Sequence, residues 1–492
     1  MLPTALAASA RARAIAENRP VLVSFTERAP ELDPIAVLES VKHGLEFNGL
    51  AEHSAAGMMY WSCQEEGFTL AGLGAVVTLT SEGPGRFASI DGAWSGLVKG
   101  SMRNGKTGER LPGPVLMGGF AFDADDPRSE TWRSFPSAHF IVPRILLTIS
   151  GGKCWSTISW MVSPEGDADI ELDTLIGLRD TLLEASASSP ICDQVPDDQL
   201  EAPEFRESLS TDGWRAMVSR AVEAIRAGEL QKVVLARAVE ATASRELSVF
   251  ALLRQLRASH SGSFVFSYWR NDSAFVGASP ERLVRLDGHN VRSSSLAGTV
   301  RRGANQPEDD DLAAQLMAST KDQAEHAAVR NSLRRNLSEV CDDVVAAQTP
   351  ALLTLPHLHH LHTDVTGRLR SDNSLLDLVA RLHPTPAVGG SPSEIALDFI
   401  RENEQLDRGW YAAPIGWVGR DAGEFAVALR SGVITGAAAT LFAGCGIVAD
   451  SDPDQELAES ILKLQPMQLA IAAALASPAT DSTTVAGSQH LQ

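Results

Sequence analysis

The 492-residue chain is 44% hydrophobic and 21% charged, an ordinary balance for a globular protein with a large buried core. Its formal charge of −20 excludes a nucleic-acid partner, because phosphate neutralisation needs a basic footprint, and no apolar run is long enough to span a bilayer. The five cysteines are scattered without a C-x-x-C pair, so neither a disulfide framework nor a zinc site is indicated and a reduced cytoplasmic enzyme fits.

From the N-terminus, Met1 to Arg11 places its basic residues after the apolar ones, the wrong order for a secretory signal, and reads as a frayed end. Up to about Leu183 the pattern is of strands punctuated by turns, among them Gly67–Gly74, Val115–Phe122 and Ala138–Thr148. Glu184 to Ala202 is rich in Ala, Ser, Pro and Asp and reads as an exposed linker. Pro203 to Ala227 has helical periodicity closed by Gly228. Beyond it strands and helices alternate: strands at Lys232–Arg237, Phe264–Trp269, Ala274–Gly277 and Arg282–Leu286, a helix at Phe250–Ser259 and a long helical stretch from Asp309 to Ala346. A helix bearing Glu456 closes the fold, and the Ser/Thr/Ala-rich segment from Ser477 to Gln492 reads as disordered.

Several residues stand out against this background. Lys232 opens an apolar strand, where a lysine either snorkels to solvent or sits desolvated and fit to act as a base. Glu281 ends Gly277-Ala-Ser-Pro-Glu281, a fixed turn that either caps itself or aims a buried carboxyl able to keep its proton. Leu296-Ala-Gly298-Thr299 sets N–H groups and a hydroxyl beside Arg301 and Arg302, an anion-binding arrangement that is also a common turn. Glu325, within Lys321-Asp322-Gln-Ala-Glu325-His326, is either a surface charge or an oxygen ligand for a hard cation.

The run His357-Leu-His359-His360-Leu-His362 matches no common zinc spacing; one of its histidines hydrogen-bonding a ligand is the better reading. Arg430 lies in the apolar strand Phe425–Gly432, where its fork calls for a buried carboxylate. Finally, Phe442-Ala-Gly444-Cys445-Gly446 reads as a strand ending in a Gly-x-Gly turn. The helix after it carries Glu456, Glu459 and Lys463 on neighbouring points of one face. That set is either a solvated i,i+4 pair or a pocket for a divalent metal and an anion. An anionic substrate of a −20 chain would require local cations or metal, a condition that the second would meet.

In order, Lys232-Val-Val-Leu-Ala-Arg237, Gly277-Ala-Ser-Pro-Glu281, Leu296-Ala-Gly-Thr299, Asp322-Gln-Ala-Glu325-His326, His383-Pro-Thr-Pro-Ala387, Asp407-Arg-Gly-Trp-Tyr411 with Gly416-Trp417, and Ala443-Gly-Cys-Gly446 through Glu459 resemble the chorismate-utilising enzymes, most closely the isochorismate synthases. Trp132-Arg-Ser-Phe-Pro136 and Val142-Pro-Arg144 match more loosely. The resemblance implies an α+β fold of two large facing antiparallel β-sheets flanked by helices, one domain over 1–476. Within it lie a less regular N-terminal half 20–183, a loop 184–202 and a catalytic core 203–467, followed by a tail 477–492. It further implies Mg²⁺-dependent conversion of chorismate to isochorismate in the service of menaquinone or siderophore biosynthesis. Lys232 would be the base activating water and Glu281 the acid for the departing hydroxyl. Glu325 and Glu459, with Glu456 directly or through water, would hold Mg²⁺. Arg430 and the Gly444 backbone would take the enolpyruvyl carboxylate, and Gly298, Thr299, Ala387 and Lys463 would line the ring and its carboxylate with His360 close by.

Two departures are small: Cys445 stands where alanine is common in these relatives and Ala413 where glycine often is. Ala297 argues against an aminodeoxychorismate synthase, which carries a nucleophilic lysine there, and Lys232 against an anthranilate synthase. A salicylate synthase, which goes on to eliminate pyruvate, is the runner-up, and a catalytically silent chorismate-binding subunit the alternative of another class. The expected protein is a monomer with a small-molecule partner, chorismate, and neither nucleic acid nor membrane.

Overall fold

The computed structural model describes residues 3–42, 57–104, 113–125, 129–165, 168–188, 202–355 and 358–476. The N-terminal half runs α1 (Pro3–Glu17), β1 (Val21–Arg28), α2 (Pro34–Lys42), β2 (Met58–Cys63), β3 (Phe68–Ser81) and α3 (Arg86–Gly100). It continues with β4 (Met102–Arg103), β5 (Leu116–Phe120), β6 (Ala138–Ser150), β7 (Lys153–Val162) and α4 (Ala168–Ser188). The second half opens with β8 (Glu204–Glu207), α5 (Thr211–Arg226), β9 (Lys232–Thr242), α6 (Val249–Ser259), β10 (Phe264–Arg270), β11 (Ser273–Ser279), β12 (Arg282–Asp287) and β13 (Asn290–Arg301). Then come α7 (Gln306–Ala318), α8 (Thr320–Ser338), β14 (Cys341–Ala346), β15 (Ala351–Thr354), β16 (Leu358–Leu369) and α9 (Leu375–Leu382). The chain ends with β17 (Gly390–Ser391), α10 (Ser393–Asn403), β18 (Pro414–Val418), β19 (Ala422–Val427), β20 (Ser431–Thr435), β21 (Ala438–Ile447) and α11 (Pro453–Ala476).

The strands form two wings. One passes from β4 through β1, β7, β6, β3, β2, β10, β11, β20 and β21 to β9. The other passes from β6 through β5, β18, β19, β12 and β13 to β16. Every pairing is antiparallel except β1 with β4. Strand β6 serves both wings: Ala138 to Ile141 pair with β5, and Ile145 to Ser150 pair with β7. The facing sheets expected from the sequence are thus joined by hydrogen bonds into one surface that folds over at β6.

The wings close on a shared apolar core that holds Phe266 and Phe275 of one and Leu283, Val284, Ile415 and Phe425 of the other. Aromatic contacts knit it across the gap, with Phe68 stacked on Trp417 at 5.3 Å and Phe140 beside Phe425 at 6.2 Å between centroids. A second cluster covers the outer face of the first wing, where α2, α6 and α11 bury Ile35, Phe250, Leu253, Leu464 and Ile471 against β2, β3, β10, β11 and β21. Helices α8 and α9 pack against the other wing. These helices are read easily from sequence. In α5, Trp214, Met217, Val218, Ala221, Val222 and Ile225 fall on one buried stripe behind the Ser210 N-cap, and α9 opens with a Ser374–Asp377 capping box.

Some expectations change. The N-terminus is not frayed: Leu6, Ala7, Ala10 and Ala14 give α1 a buried face whose small side chains let it dock on β1 and β7. The expected loop 184–202 starts late, since α4 continues through Ser188; 189–201 lies outside the described residues, as does the tail 477–492. The helical stretch Asp309–Ala346 is two helices broken at Ser319, which caps α8 with its hydroxyl, and then an edge strand. The Gly-x-Gly "turn" is strand throughout, β21 pairing with β9 as far as Ile447. Arg430 is not within a strand but in the kink between β19 and β20, at a left-handed φ of 49°.

Candidate active site

Strand β20 begins at Ser431, opposite Phe442, so β21 from Ala443 onward has β9 on one edge and, among the described residues, no strand on the other. On β9 the amides of Val234 and Ala236 turn away from β21, to the Gly389 carbonyl at 2.9 Å and Glu404 Oε1 at 2.7 Å. Their partners across the ladder, Gly446 and Gly444, therefore turn their own N–H and C=O groups away from β9 as well. The Gly444 carbonyl accepts from Lys463 Nζ at 2.9 Å, so this free edge faces α11.

The glycines are required for a different reason than a turn. A Cβ at Gly446 would lie 2.7 Å from Lys232 Cε and 3.2 Å from Glu325 Oε1. Its absence is the gap through which Lys232, 6% exposed, reaches Glu325 on α8 and donates to Oε1 at 2.6 Å. Burial works against the Glu325 carboxylate, but the ammonium beside it holds its pKa below the ordinary value. Lys232, expected from sequence as a base, is thus one half of an ion pair.

Glu281 is 4% exposed at the β11–β12 turn. Its amide donates to Ser279 Oγ at 3.2 Å, and its carbonyl accepts from Val427 N at 3.0 Å, which fixes the turn against β19. Burial pushes its carboxyl up to about 8, with the charges of Lys232 and Lys463 pulling the other way. Arg430 stands at the kink next to this turn, its carbonyl held by Ala278 N at 3.1 Å. Its guanidinium makes no hydrogen bond or ion pair with another described residue, leaving the fork open to a ligand carboxylate.

On the second wing, the β13–β16 ladder slips one residue at Gly298, whose φ of +77° suits glycine. The bulge sets Thr299 Oγ1 at 3.0 Å and the Gly298 carbonyl at 3.2 Å from His360 Nδ1. Facing a carbonyl, Nδ1 carries the proton, so Nε2 is an acceptor; it is buried without a partner. Burial, with Arg430 and Lys463 nearby, lowers the His360 pKa to about 3 and keeps the ring neutral. The rest of the histidine run points elsewhere: His359 bonds Thr354 and Asp309, His362 lies 3.7 Å from Asp364, and His357 is outside the described residues.

Helix α11 supplies the opposite wall. Ser451 Oγ donates to Glu456 Oε1 at 2.7 Å, and Lys463 pairs with Glu459 at 2.7 Å. Burial and then the charge of Glu459 raise the Glu456 pKa, a sign of two crowded carboxylates. With Cys445 Sγ they form a group whose ligand atoms all lie within 4.8 Å of one another. Glu325 is not part of that group and stands turned to Lys232.

One cavity joins these pieces. It is lined by Glu281, Gly298, Thr299, Glu325, His360, Ala387, Arg430, Gly444, Glu456, Glu459 and Lys463; of the predicted set Lys232 alone is not on its surface and reaches it through Glu325. Lys321, Asp322, Arg408 and Tyr411 also line it and were given no role from sequence. Helical spacing would have flagged the first two, which sit four and three residues before Glu325 on the same face.

A chain with this fold and this polar cleft belongs to the chorismate-binding enzymes: the family pattern "Chorismate binding enzyme" matches residues 8–472. It is similar to the isochorismate synthase MenF of Bacillus subtilis (strain 168), 36% identical over 456 residues that span 92% of this chain and 93% of that one. The salicylate biosynthesis isochorismate synthase of Pseudomonas aeruginosa is 35% identical over 466 residues, 94% and 92% of the two chains. Among solved structures, the menaquinone-specific isochorismate synthase MenF of Escherichia coli superposes with a TM-score of 0.73 over 95% of this chain and 100% of that one, at 24% identity, a likeness of fold. Among the described residues, no helix is long and apolar enough to cross a membrane.

Proposed function

We propose that this chain is an isochorismate synthase, an isomerase that adds water at C2 of chorismate, shifts the ring double bonds and expels the C4 hydroxyl. The observation that carries it is the meeting, in one cavity, of the Glu281 carboxyl, which burial pushes up to about 8, with the open Arg430 fork, the Lys463 ammonium and the His360 Nε2 acceptor, a set suited to a dicarboxylate bearing a hydroxyl. Similarity over nine-tenths of the chain to two relatives named for this activity supports it.

In this reading Lys232 takes a proton from the attacking water and Glu281 gives one to the departing hydroxyl, so that base and acid roles fall to different elements, β9 and the β11–β12 turn. Arg430 and the free edge of β21 at Gly444 receive the enolpyruvyl carboxylate. Gly298, Thr299 and Ala387 shape the ring pocket, Lys463 faces the ring carboxylate, and the Nε2 acceptor of His360 suits a ring hydroxyl.

The crowded Glu456–Glu459 pair, with Glu325 also lining the cavity, fits a hard divalent cation, which would relieve the crowding that, after burial, raises the Glu456 pKa. Glu325 would have to exchange Lys232 for the ion, and Cys445, a soft donor, adds nothing for Mg²⁺. Mg²⁺ held there by Glu325 and Glu459, with Glu456 directly or through water, would neutralise the ring carboxylate. Removal of divalent cations with EDTA is expected to abolish turnover and added Mg²⁺ to restore it. Glu459→Gln should raise the Mg²⁺ concentration for half-maximal rate by at least ~10-fold. Unchanged Mg²⁺ dependence in that variant would place the ion elsewhere.

The deciding experiment is a product assay. Purified protein with chorismate and Mg²⁺ should give isochorismate without pyruvate release. Salicylate plus pyruvate as main products would favour the salicylate synthase, and absence of turnover the silent subunit. The same proposal takes 1–476 as one domain, supported by the ladders that join its halves, β2 to β10 and β5 to β18. It also takes the protein as a cytoplasmic monomer.

A further inference from the structure

We infer that Arg408 is a positioning residue that sets the spacing between strand β9 and the cavity wall carrying Ala387 and Val388. The inference rests on the synthase reading above. Arg408 is 1% exposed, and its guanidinium touches both backbones: Nη1 donates to the Val388 carbonyl at 2.9 Å and Nη2 to the Val234 carbonyl at 2.7 Å. Val234 lies two residues beyond Lys232 on β9, and Val234, Ala387 and Val388 all line the cavity.

The fork is itself aimed by Glu404. Arg408 Nε donates to Glu404 Oε2 at 2.8 Å, Nη2 also meets Oε1, and Oε1 accepts the Ala236 amide at 2.7 Å. The ring of Phe122 lies 4.4 Å from the guanidinium carbon. The pair thus grips β9 at two alternate residues and the Val388 segment at a third point.

The same two segments are also joined by the Val234 amide on the Gly389 carbonyl at 2.9 Å and by the β17–β9 pairing, which leaves Arg408 as the side-chain tie between them at Val388. Arg408 also lines a second pocket together with Phe122, Asp123, Ile400 and Glu404, so it stands between the two spaces. The hydrogen bonds, together with the Phe122 ring, fix the plane and direction of the guanidinium. A lysine would keep the charge against Glu404 but has no planar fork to span the two carbonyls. Arg408 touches neither water nor the leaving hydroxyl in the proposed reaction. Its effect passes through the place of Lys232 relative to a ring held on the Ala387 side.

The test separates positioning from mere structure. Arg408→Lys is expected to lower kcat at least ~100-fold with KM within ~3-fold of wild type, and to unfold cooperatively. Arg408→Met alone leaves the Glu404 carboxylate buried without a partner and should lower the unfolding midpoint. The neutral pair Glu404→Gln/Arg408→Met should recover most of that midpoint, because a buried ion pair replaced as a unit costs little stability. It should not recover kcat. A lysine variant or a neutral pair with kcat within ~3-fold of wild type overturns the inference. All rates are read against wild-type turnover, so the product assay decides the synthase reading and these ratios decide Arg408.

Discussion

Lys232→Ala is expected to lower kcat at least ~1,000-fold while Mg²⁺-dependent binding of chorismate, followed by calorimetry, stays within ~10-fold of wild type. Lys232 is 6% exposed, enters the cleft through the gap left by Gly446 and ends on Glu325 at 2.6 Å. No other lysine comes to the cavity from β9; Lys463 and Lys321 approach from helices and have the carboxylates of α8 and α11 for neighbours. Binding should survive because Arg430, the Gly444 edge and Lys463, to which substrate contacts are assigned, are untouched. Near-normal rates in Lys232→Ala would remove the base assignment. Weak binding together with lost turnover would instead make the lysine a ligand for substrate.

The second large effect concerns Glu281. A general acid works only while protonated, and burial carries this carboxyl up to about 8. The protonated fraction is therefore near complete at neutral pH and falls tenfold per unit above the raised value, so kcat should decline on the alkaline side of about 8. Glu281→Gln keeps the shape and a hydrogen-bond donor but releases no proton. It is expected to cost ~10²–10⁴-fold in kcat and to erase that alkaline limb from what rate remains. A glutamine variant whose profile still bends at the same pH would show that another group is the acid.

Much of the cavity lining was legible because the groups that come together there sit in short strings whose chemistry is local. Gly277-Ala-Ser-Pro-Glu281 announces a fixed turn, and the turn is there with Glu281 locked by Ser279 and Val427. Helical spacing put Glu456, Glu459 and Lys463 together, as α11 does. Conformation at chain crossings was less legible. The Gly444 and Gly446 pair looks like a turn from sequence alone. The need for glycine at 446 comes instead from Lys232, more than two hundred residues earlier, which occupies the space a side chain would fill, while a Cβ at Gly444 would lie 2.9 Å from the Leu235 carbonyl. Arg430 reads as strand because its neighbours are apolar; its left-handed φ of 49° answers to the junction between two ladders. The docking of α1 escaped notice because alanine carries little signal, although Ala7, Ala10 and Ala14 are fully buried. Arg408 and Glu404 were invisible as a pair, since their significance lies in which distant carbonyls the fork reaches.

The ladders that tie β2 to β10 and β5 to β18 also constrain how this chain is made. During synthesis the N-terminal half emerges first, yet β2 and β5 cannot gain their second neighbours until β10 and β18 have left the ribosome. For the time it takes to translate those residues, two apolar strand edges remain open, the situation in which sheet proteins associate wrongly. Yield of active enzyme should accordingly depend on translation rate and on holdase chaperones, and a truncation before β18 should give aggregate rather than a smaller folded protein.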